Sequence, residues 1–331
     1  MASVYDASLS RPSRSAWSGV ASLILGRLSA SLLVLIGVAF IVFWGIDQAP
    51  ADPVTAALGP FATPEQRATF VQQHGLDDPM PLRFVRFIAG ALQGDLGQST
   101  TRPVNASTLV GKAVPVTVQL TTLAILIATV LGVSAGVLAA KRANKGTDRS
   151  VRLSAAVLVA APDFWVGIIA IQLFAVNLGW MPSGGYQPLA NGFLPWLEHI
   201  IMPATVLALP LSATLANQVR SSMIQELDRD YVRSAMGQGL SSTRVLTSVF
   251  KNAATGPLTL LGVRASYMLS GAIIIEQIFN LPGLGTLLVE GVRQGDLAVT
   301  RAVALVGTMG ILIISFVLDL AYLAINPRAR K

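Results

Sequence analysis

The sequence has 331 residues, 53% hydrophobic and 12% charged, whereas a soluble domain carries about 25% charged residues, so the apolar excess calls for lipid rather than for a core alone. The net charge of +7 would suit nucleic-acid binding in a soluble protein, but here the basic residues cluster beside apolar runs. The absence of cysteine excludes disulfides and thiolate chemistry, and the only histidines, His74 and His199, are too far apart in sequence to suggest a metal centre.

Residues 1–22 are polar and include Arg11 and Arg14, which reads as a cytoplasmic N-terminal tail. The apolar run behind them is longer than a signal-peptide core and closes on no small-residue cleavage pattern, so it is expected to be retained as a first helix, 23–46. A helix needs about twenty apolar residues to cross the hydrocarbon. Six stretches qualify: Leu23–Ile46, Val116–Ala140, Leu153–Leu178, Ile200–Val219, Pro257–Leu281 and Arg301–Ile325. The fourth, interrupted by Pro203 and Pro210, is the weakest.

Lys and Arg concentrate in cytoplasmic loops. Lys141, Arg142, Lys145, Arg149 and Arg152 fill one loop; Arg220, Arg229, Arg233, Arg244 and Lys251 occupy another; Arg328, Arg330 and Lys331 end the chain. The 177–199 connection has no Lys or Arg, and 280–300 has only Arg293, so both face outward and both termini are cytoplasmic. Residues 47–114 are too polar to span and read as an extracytoplasmic segment with amphipathic pieces such as Pro81–Leu92. Within it, Asn105, Ala106 and Ser107 fit a glycosylation acceptor, a triplet that arises often by chance. Residues 115–331 form the membrane core, an all-α assembly.

The chain has no phosphate-cradling loop. Gly111, Lys112, Ala113 is the nearest approach and lacks the upstream Gly and the following hydroxyl. No Ser, His and Asp constellation appears either, so the chain is not expected to be an enzyme. The informative segment is the loop 220–256, in which Asp230 is expected to cap a helix from Tyr231 to Gln238, Gly239 to end it in the left-handed conformation, and Ser241 or Ser242 to cap a second helix. Two readings stand here: a rigid protrusion that carries force to another protein, or an amphipathic loop whose Arg233, Arg244 and Lys251 lie on anionic membrane lipid.

Asp230 to Leu240 reads DYVRSAMGQGL and resembles the EAA loop of ABC importer permeases, in its dipeptide and oligopeptide form close to DYVRTARAKGL. Ala235 and Gly239 match; Arg233 and Ser234 replace the usual leading Glu and Ala, and Met236 and Gly237 make the helix less basic and more flexible. Similar markers run from about Ser22 to the end. They are Ala49–Pro53; Gly75, Leu76, Asp77 and Pro79; Gly94–Gly97; Pro162, Phe164, Trp165 and Gly167; Glu276 with Ile278, Phe279 and Pro282–Gly285; and Asp319, Leu320, Tyr322 with Asn326, Pro327 and Arg328. One departure is Gly256 in the place of a proline, with Pro257 following.

The resemblance is to the B-type permease of a peptide ABC importer. It implies a type I importer permease fold in a bacterial inner membrane and di- or oligopeptide cargo delivered by an extracytoplasmic substrate-binding protein. It also implies a second homologous permease and two ATP-binding subunits or one fused ATPase, with ATP and Mg bound by those partners, no cofactor in this chain and no nucleic acid. Asp230, Tyr231, Arg233, Ala235, Gly239 and Leu240 would then dock on the ATPase. Relatives of this branch carry nickel chelates, glutathione or other small solutes, and an ion-coupled transporter is the rival from another class, although no internal repeat supports it. Asp163, Arg264, Glu276 and Asp319 are charged residues in expected spans, each costing roughly 3 kcal/mol to insert. Asp163, Arg264 and Glu276 are candidates for a path or gate. For Arg264 the alternative is snorkelling to headgroups, and for Glu276 it is bonding to backbone amides. Gly132 and Gly136 form a small-residue pair suited to close helix packing.

Overall fold

A computed structural model describes residues 14–48 and 53–325. Residues 1–13, the Ala49–Asp52 part of the first family marker, and Asn326, Pro327 and Arg328 lie outside the described residues, as do the side chains of Asp319, Leu320 and Tyr322. Among the described residues the architecture is helical, with a single bridge between Gln98 and Asn105 in place of any strand. In chain order the helices are α1 (Arg14–Asp47), α2 (Pro53–Leu58), α3 (Pro64–Gln73), α4 (Met80–Leu92), α5 (Ala106–Lys141), α6 (Gly146–Ala160) and α7 (Asp163–Ala170). They continue as α8 (Phe193–Leu227), α9 (Asp230–Gly237), α10 (Ser242–Ala253), α11 (Thr255–Ile278), α12 (Leu284–Gln294) and α13 (Leu297–Ile325).

Five of them, α1, α5, α8, α11 and α13, are long and apolar enough to cross a membrane. The third expected span, Leu153–Leu178, is not one helix. It is α6 and α7, the latter continued by a π-helical stretch Ile171–Asn177, bent by 103° at the break. Proline is the cause: Ala161 is forced into an extended conformation (φ −74°, ψ 130°) ahead of Pro162, which also lacks the N–H that would continue α6. The span count is six when this bent pair is taken as one.

The fourth stretch, read as the weakest, is the centre of the bundle. α8 runs unbroken through Pro203 and Pro210, and 67% of its apolar window is buried, against 33% or less in the other spans. Its neighbours supply the side-chain packing that overrides the two prolines, and Thr214 Oγ1 donates to the Pro210 carbonyl at 2.8 Å. α5 packs closely along it. A Cβ on Gly132 would stand 2.8 Å from the Ser212 carbonyl oxygen, and one on Gly136 would stand 2.6 Å from that of Ala216, so glycine is what lets these backbones meet. Leu120, Ala124, Ile200, Ala208, Ala272 and Ile275 fill the space between α5, α8 and α11.

α5 begins at Ala106, ten residues before the expected span, because Asn105 caps it by accepting from the Ser107 N–H at 2.9 Å. The same Asn105 donates to Asp95 at 3.1 Å, so this side chain is part of the structure of the 53–105 segment. α3 opens with a capping box between Thr63 and Gln66. Pro257 stands in the first turn of α11, where a missing N–H leaves no intrahelical bond unmade.

Candidate functional site

The loop that carries the family pattern folds as α9 and α10 joined by a tight turn. Gly239 adopts φ +78°, and its N–H and that of Leu240 donate to Met236 and Ala235 carbonyls at 3.0 and 3.2 Å, closing α9 in the expected way. The expected cap does not form. Arg229 is the N-cap with no side-chain bond, and Asp230 is the first helical residue, 98% exposed and 3.6 Å from Arg233, which is itself largely exposed. Asp230 therefore favours the helix through its charge in the first turn. Ser241 holds the N-cap position of α10, also without a side-chain bond.

α9 has two faces with different fates. Val232 is 1% exposed and packs with Val245 and Val249 of α10 and with Leu215, Val219 and Met223 of α8. Tyr231, Met236 and Leu240 project from the loop as exposed apolar side chains. Tyr231 is held at its tip by Asn252, whose Nδ2 donates to the phenol oxygen at 3.1 Å; partial burial, reinforced by the Glu226 carboxylate, pushes the phenol up from its ordinary range. The result is a short helix with a fixed root and a free apolar surface. A deletion of the buried contact would loosen it without altering that surface.

Below the loop, Arg220 donates twice to Asp148, at 2.5 and 2.7 Å, and Asp148 accepts the Asn144 N–H at 2.9 Å. This pair ties the start of α6 to the far end of α8, and the Asp148 side chain is 2% exposed. In the sequence Arg220 is one of several loop cations, and nothing in the neighbourhood of Asp148 marks a partner 72 residues away.

At the opposite end of the bundle, Glu276 is wholly buried. Its oxygens accept from Thr117 Oγ1 at 2.6 Å and from the Gly285 and Thr286 N–H groups at 2.7 and 3.2 Å, while Thr117 Oγ1 accepts the Leu284 N–H at 2.8 Å. The carboxylate thus meets the positive end of α12 and joins α5, α11 and α12 at one point. Gly283 and Gly285 make the space, because a Cβ on either would strike the carboxylate. A second tie lies at the other end of α12. Asp296, 1% exposed, accepts from Ser99 Oγ, from Thr101 Oγ1 at 2.9 Å and from the Thr100 and Val299 N–H groups at 3.3 and 3.2 Å. Burial raises this carboxyl, and the four bonds together outweigh it, holding the group below its ordinary range.

The three intramembrane candidates are not brought together. Glu276 is enclosed as described, Arg264 lies twelve residues earlier on α11, about 18 Å along the axis at helical rise, exposed between Val263 and Tyr267, and Asp163 is half-buried at the first turn of α7. No hydrogen bond or ion pair joins these three residues. Thr117, Asp296, Asp148 and the glycine pair around Glu276 carry more of the polar architecture than the sequence reading assigned them. The usable signal was the Pro282, Gly283, Leu284, Gly285 turn behind a lone glutamate.

Comparison with known proteins places these features in a context. Residues 132–331 match the family described as binding-protein-dependent transport system inner membrane component, and residues 20–121 match the N-terminal region described for the same systems. A probable peptide ABC transporter permease protein, y4tP, of Sinorhizobium fredii is 33% identical over 308 residues, covering 93% of this chain and 98% of the relative. The oligopeptide transport system permease protein AppB of Bacillus subtilis is 32% identical, covering 93% and 99%. The glutathione transport system permease protein GsiC of Salmonella paratyphi A is 34% identical, covering 93% and 98%.

Proposed function

Because the chain belongs to the inner-membrane components of binding-protein-dependent transport systems, we propose that it is one permease half of an ATP-driven importer of di- and oligopeptides. The peptide-permease names of y4tP and AppB support the cargo. The observation that carries the coupling mechanism is the two-faced α9 and its turn, rooted through Val232 on α8 and α10 while Tyr231, Met236 and Leu240 stay exposed.

In this reading the loops 141–152 and 220–256 face the cytoplasm, as their basic residues favour. Tyr231, Ala235, Gly239 and Leu240 seat α9 in a cleft of an ATP-binding subunit, with Asp230 and Arg233 at its solvated edge. Two such subunits, or one fused ATPase, bind the ATP and Mg, and a second homologous permease completes the path. When the ATPases close, α9 tilts, α8 moves with it, and the cavity between the permeases changes the side it opens to. An extracytoplasmic binding protein delivers the peptide. Asp163, half-buried, and Arg264, exposed, are assigned to the path, while the enclosed Glu276 is assigned to fixing the outer end rather than to touching cargo.

Gly239→Val tests the coupling role. The left-handed backbone disfavours any side chain at this site, and a β-branched one most. The assembled transporter should still form, with peptide-stimulated ATP hydrolysis reduced by more than half; hydrolysis and uptake both at the wild-type level would remove α9 from the mechanism. A second cargo, glutathione, is favoured by the similarity to GsiC. Competition decides between them: excess dipeptide that fails to block uptake of glutathione, with no peptide uptake of its own, would replace the peptide reading.

A further inference from the structure

At the bundle end opposite α9 and α10, a cavity of about 530 Å³ lies between α3, α4, the 95–100 loop and the first turns of α13. Arg301 lines it. The Arg301 side chain is 12% exposed, its guanidinium lies 3.9 Å over the Phe43 ring, and its Nη2 stands 3.5 Å from Asp47. That carboxylate is already bonded by Arg83 at 2.7 Å. One acid therefore faces two guanidinium groups, and the cluster keeps an excess positive charge.

The unmet hydrogen bonds point the same way. Arg301 Nε and Nη2 and the Thr100 hydroxyl are buried and have no hydrogen-bond partner among the described residues, and both residues line this cavity. A buried charged group whose N–H donors lack a hydrogen-bond acceptor is costly even beside a carboxylate that another cation shares. The other titratable groups on the wall do not relieve it. Arg86 pairs with Asp78, Asp95 is taken up by the Gly97 N–H and by Asn105, and the His74 ring stacks on Phe70 with Nδ1 at the Phe70 carbonyl.

Depth in the membrane selects among anions. Arg301 is in the second turn of the span that starts at Leu297, and Asp47 closes the span Ser29–Asp47, so the cavity sits where these helices leave the hydrocarbon. α4 covers it as an interfacial helix would: Phe84 and Phe87 rest on the α1 aromatics, Arg86 and Gly90 face the cavity, and Val85 and Leu92 are 61% and 86% exposed. A phosphodiester brings one negative charge and several acceptor oxygens to that level. We propose that this cavity holds the phosphate of a phospholipid headgroup, with Arg301 as its charged ligand and Thr100 as a second donor.

The test uses the assembled transporter, purified in detergent, stripped of loosely held lipid and titrated with phosphatidylglycerol under native mass spectrometry. Wild type should retain a phospholipid that Arg301→Gln loses, and Arg301→Lys should restore part of it. Thr100→Val keeps every charge and should weaken retention about threefold to tenfold, the size of one lost hydrogen bond; it decides the matter if Arg301→Gln does not assemble. Retention unchanged in Thr100→Val and in every Arg301 variant that assembles would overturn the proposal. So would inorganic phosphate that binds wild type but not the variants while lipid retention is the same in all, since the site would then take the free ion.

Discussion

Glu276 is held by a hydroxyl and two backbone N–H groups, with no cation among its partners. Glu276→Ala would leave those donors buried and unpaired, at about 1–3 kcal/mol for each group, so the expected result is a clearly lower melting temperature of the purified protein. Gly285→Ala should do the same without removing any bond, because the new methyl meets both the Glu276 carboxylate and the Ile273 backbone; an unchanged melting temperature in both variants would mean that this knot is not needed for the fold. Asp296 makes a different prediction, in pH. Its carboxyl lies below the ordinary 3.8 in the folded chain, so the stability it contributes is present at all pH values above the unfolded-state value and is lost only as pH falls through the still lower native one. Hydrogen exchange in residues 98–105, corrected for intrinsic rate, should therefore be equal at pH 7 and pH 5 in wild type, and faster at both in Asp296→Ala.

At the scale of elements, the apolar runs were legible because lipid demands length and uninterrupted hydropathy, which are properties of composition. The breaks were harder to read. Pro203 and Pro210 looked like defects in α8, yet the helix is continuous because burial against α5, α6 and α11 outweighs the bonds that proline removes. Pro162 lies between α6 and α7, where the chain does turn, and a single apolar count ran across it. The residue type was the same in both places and the tertiary surroundings decided. Asp230 misled for a related reason: an acid before a helix fits either the cap or the first turn, and only the backbone angles of Arg229 separate the two. By contrast, the Gly132 and Gly136 spacing was a reliable sign of close packing. Gly136→Leu should prevent the α5–α8 approach, since even a Cβ would stand 2.6 Å from a carbonyl oxygen and 2.6 Å from Val219 Cβ. The expected outcome is protein that no longer elutes as a single folded species, whereas Gly37→Leu on the open face of α1, where nothing lies within 4 Å, should behave as wild type.

Across the whole molecule, the proposed coupling requires a movement of the 220–256 loop to reach the far end of the bundle, and the packing offers a route. α9 and α10 rest on α8; α8 is fastened to α5 by the glycine contacts and to α6 by Arg220 and Asp148; α11 carries the connection to Glu276 and α12. The 220–256 loop and the 282–285 turn carry local patterns, but the links between them do not, because each link joins residues distant in the chain. The Arg220–Asp148 pair is the link most open to test. If it makes α6 and α8 move as one body, Asp148→Asn in the assembled transporter should leave basal ATP hydrolysis in place, reduce its stimulation by substrate and binding protein by more than half, and speed hydrogen exchange in the 142–147 turn. Exchanging the two residues, Asp148→Arg with Arg220→Asp, restores the attraction with reversed polarity and should recover part of the stimulation. A pair that served only to stabilise the fold would instead lower basal and stimulated hydrolysis in proportion, through loss of intact transporter, and the ratio between them would not move.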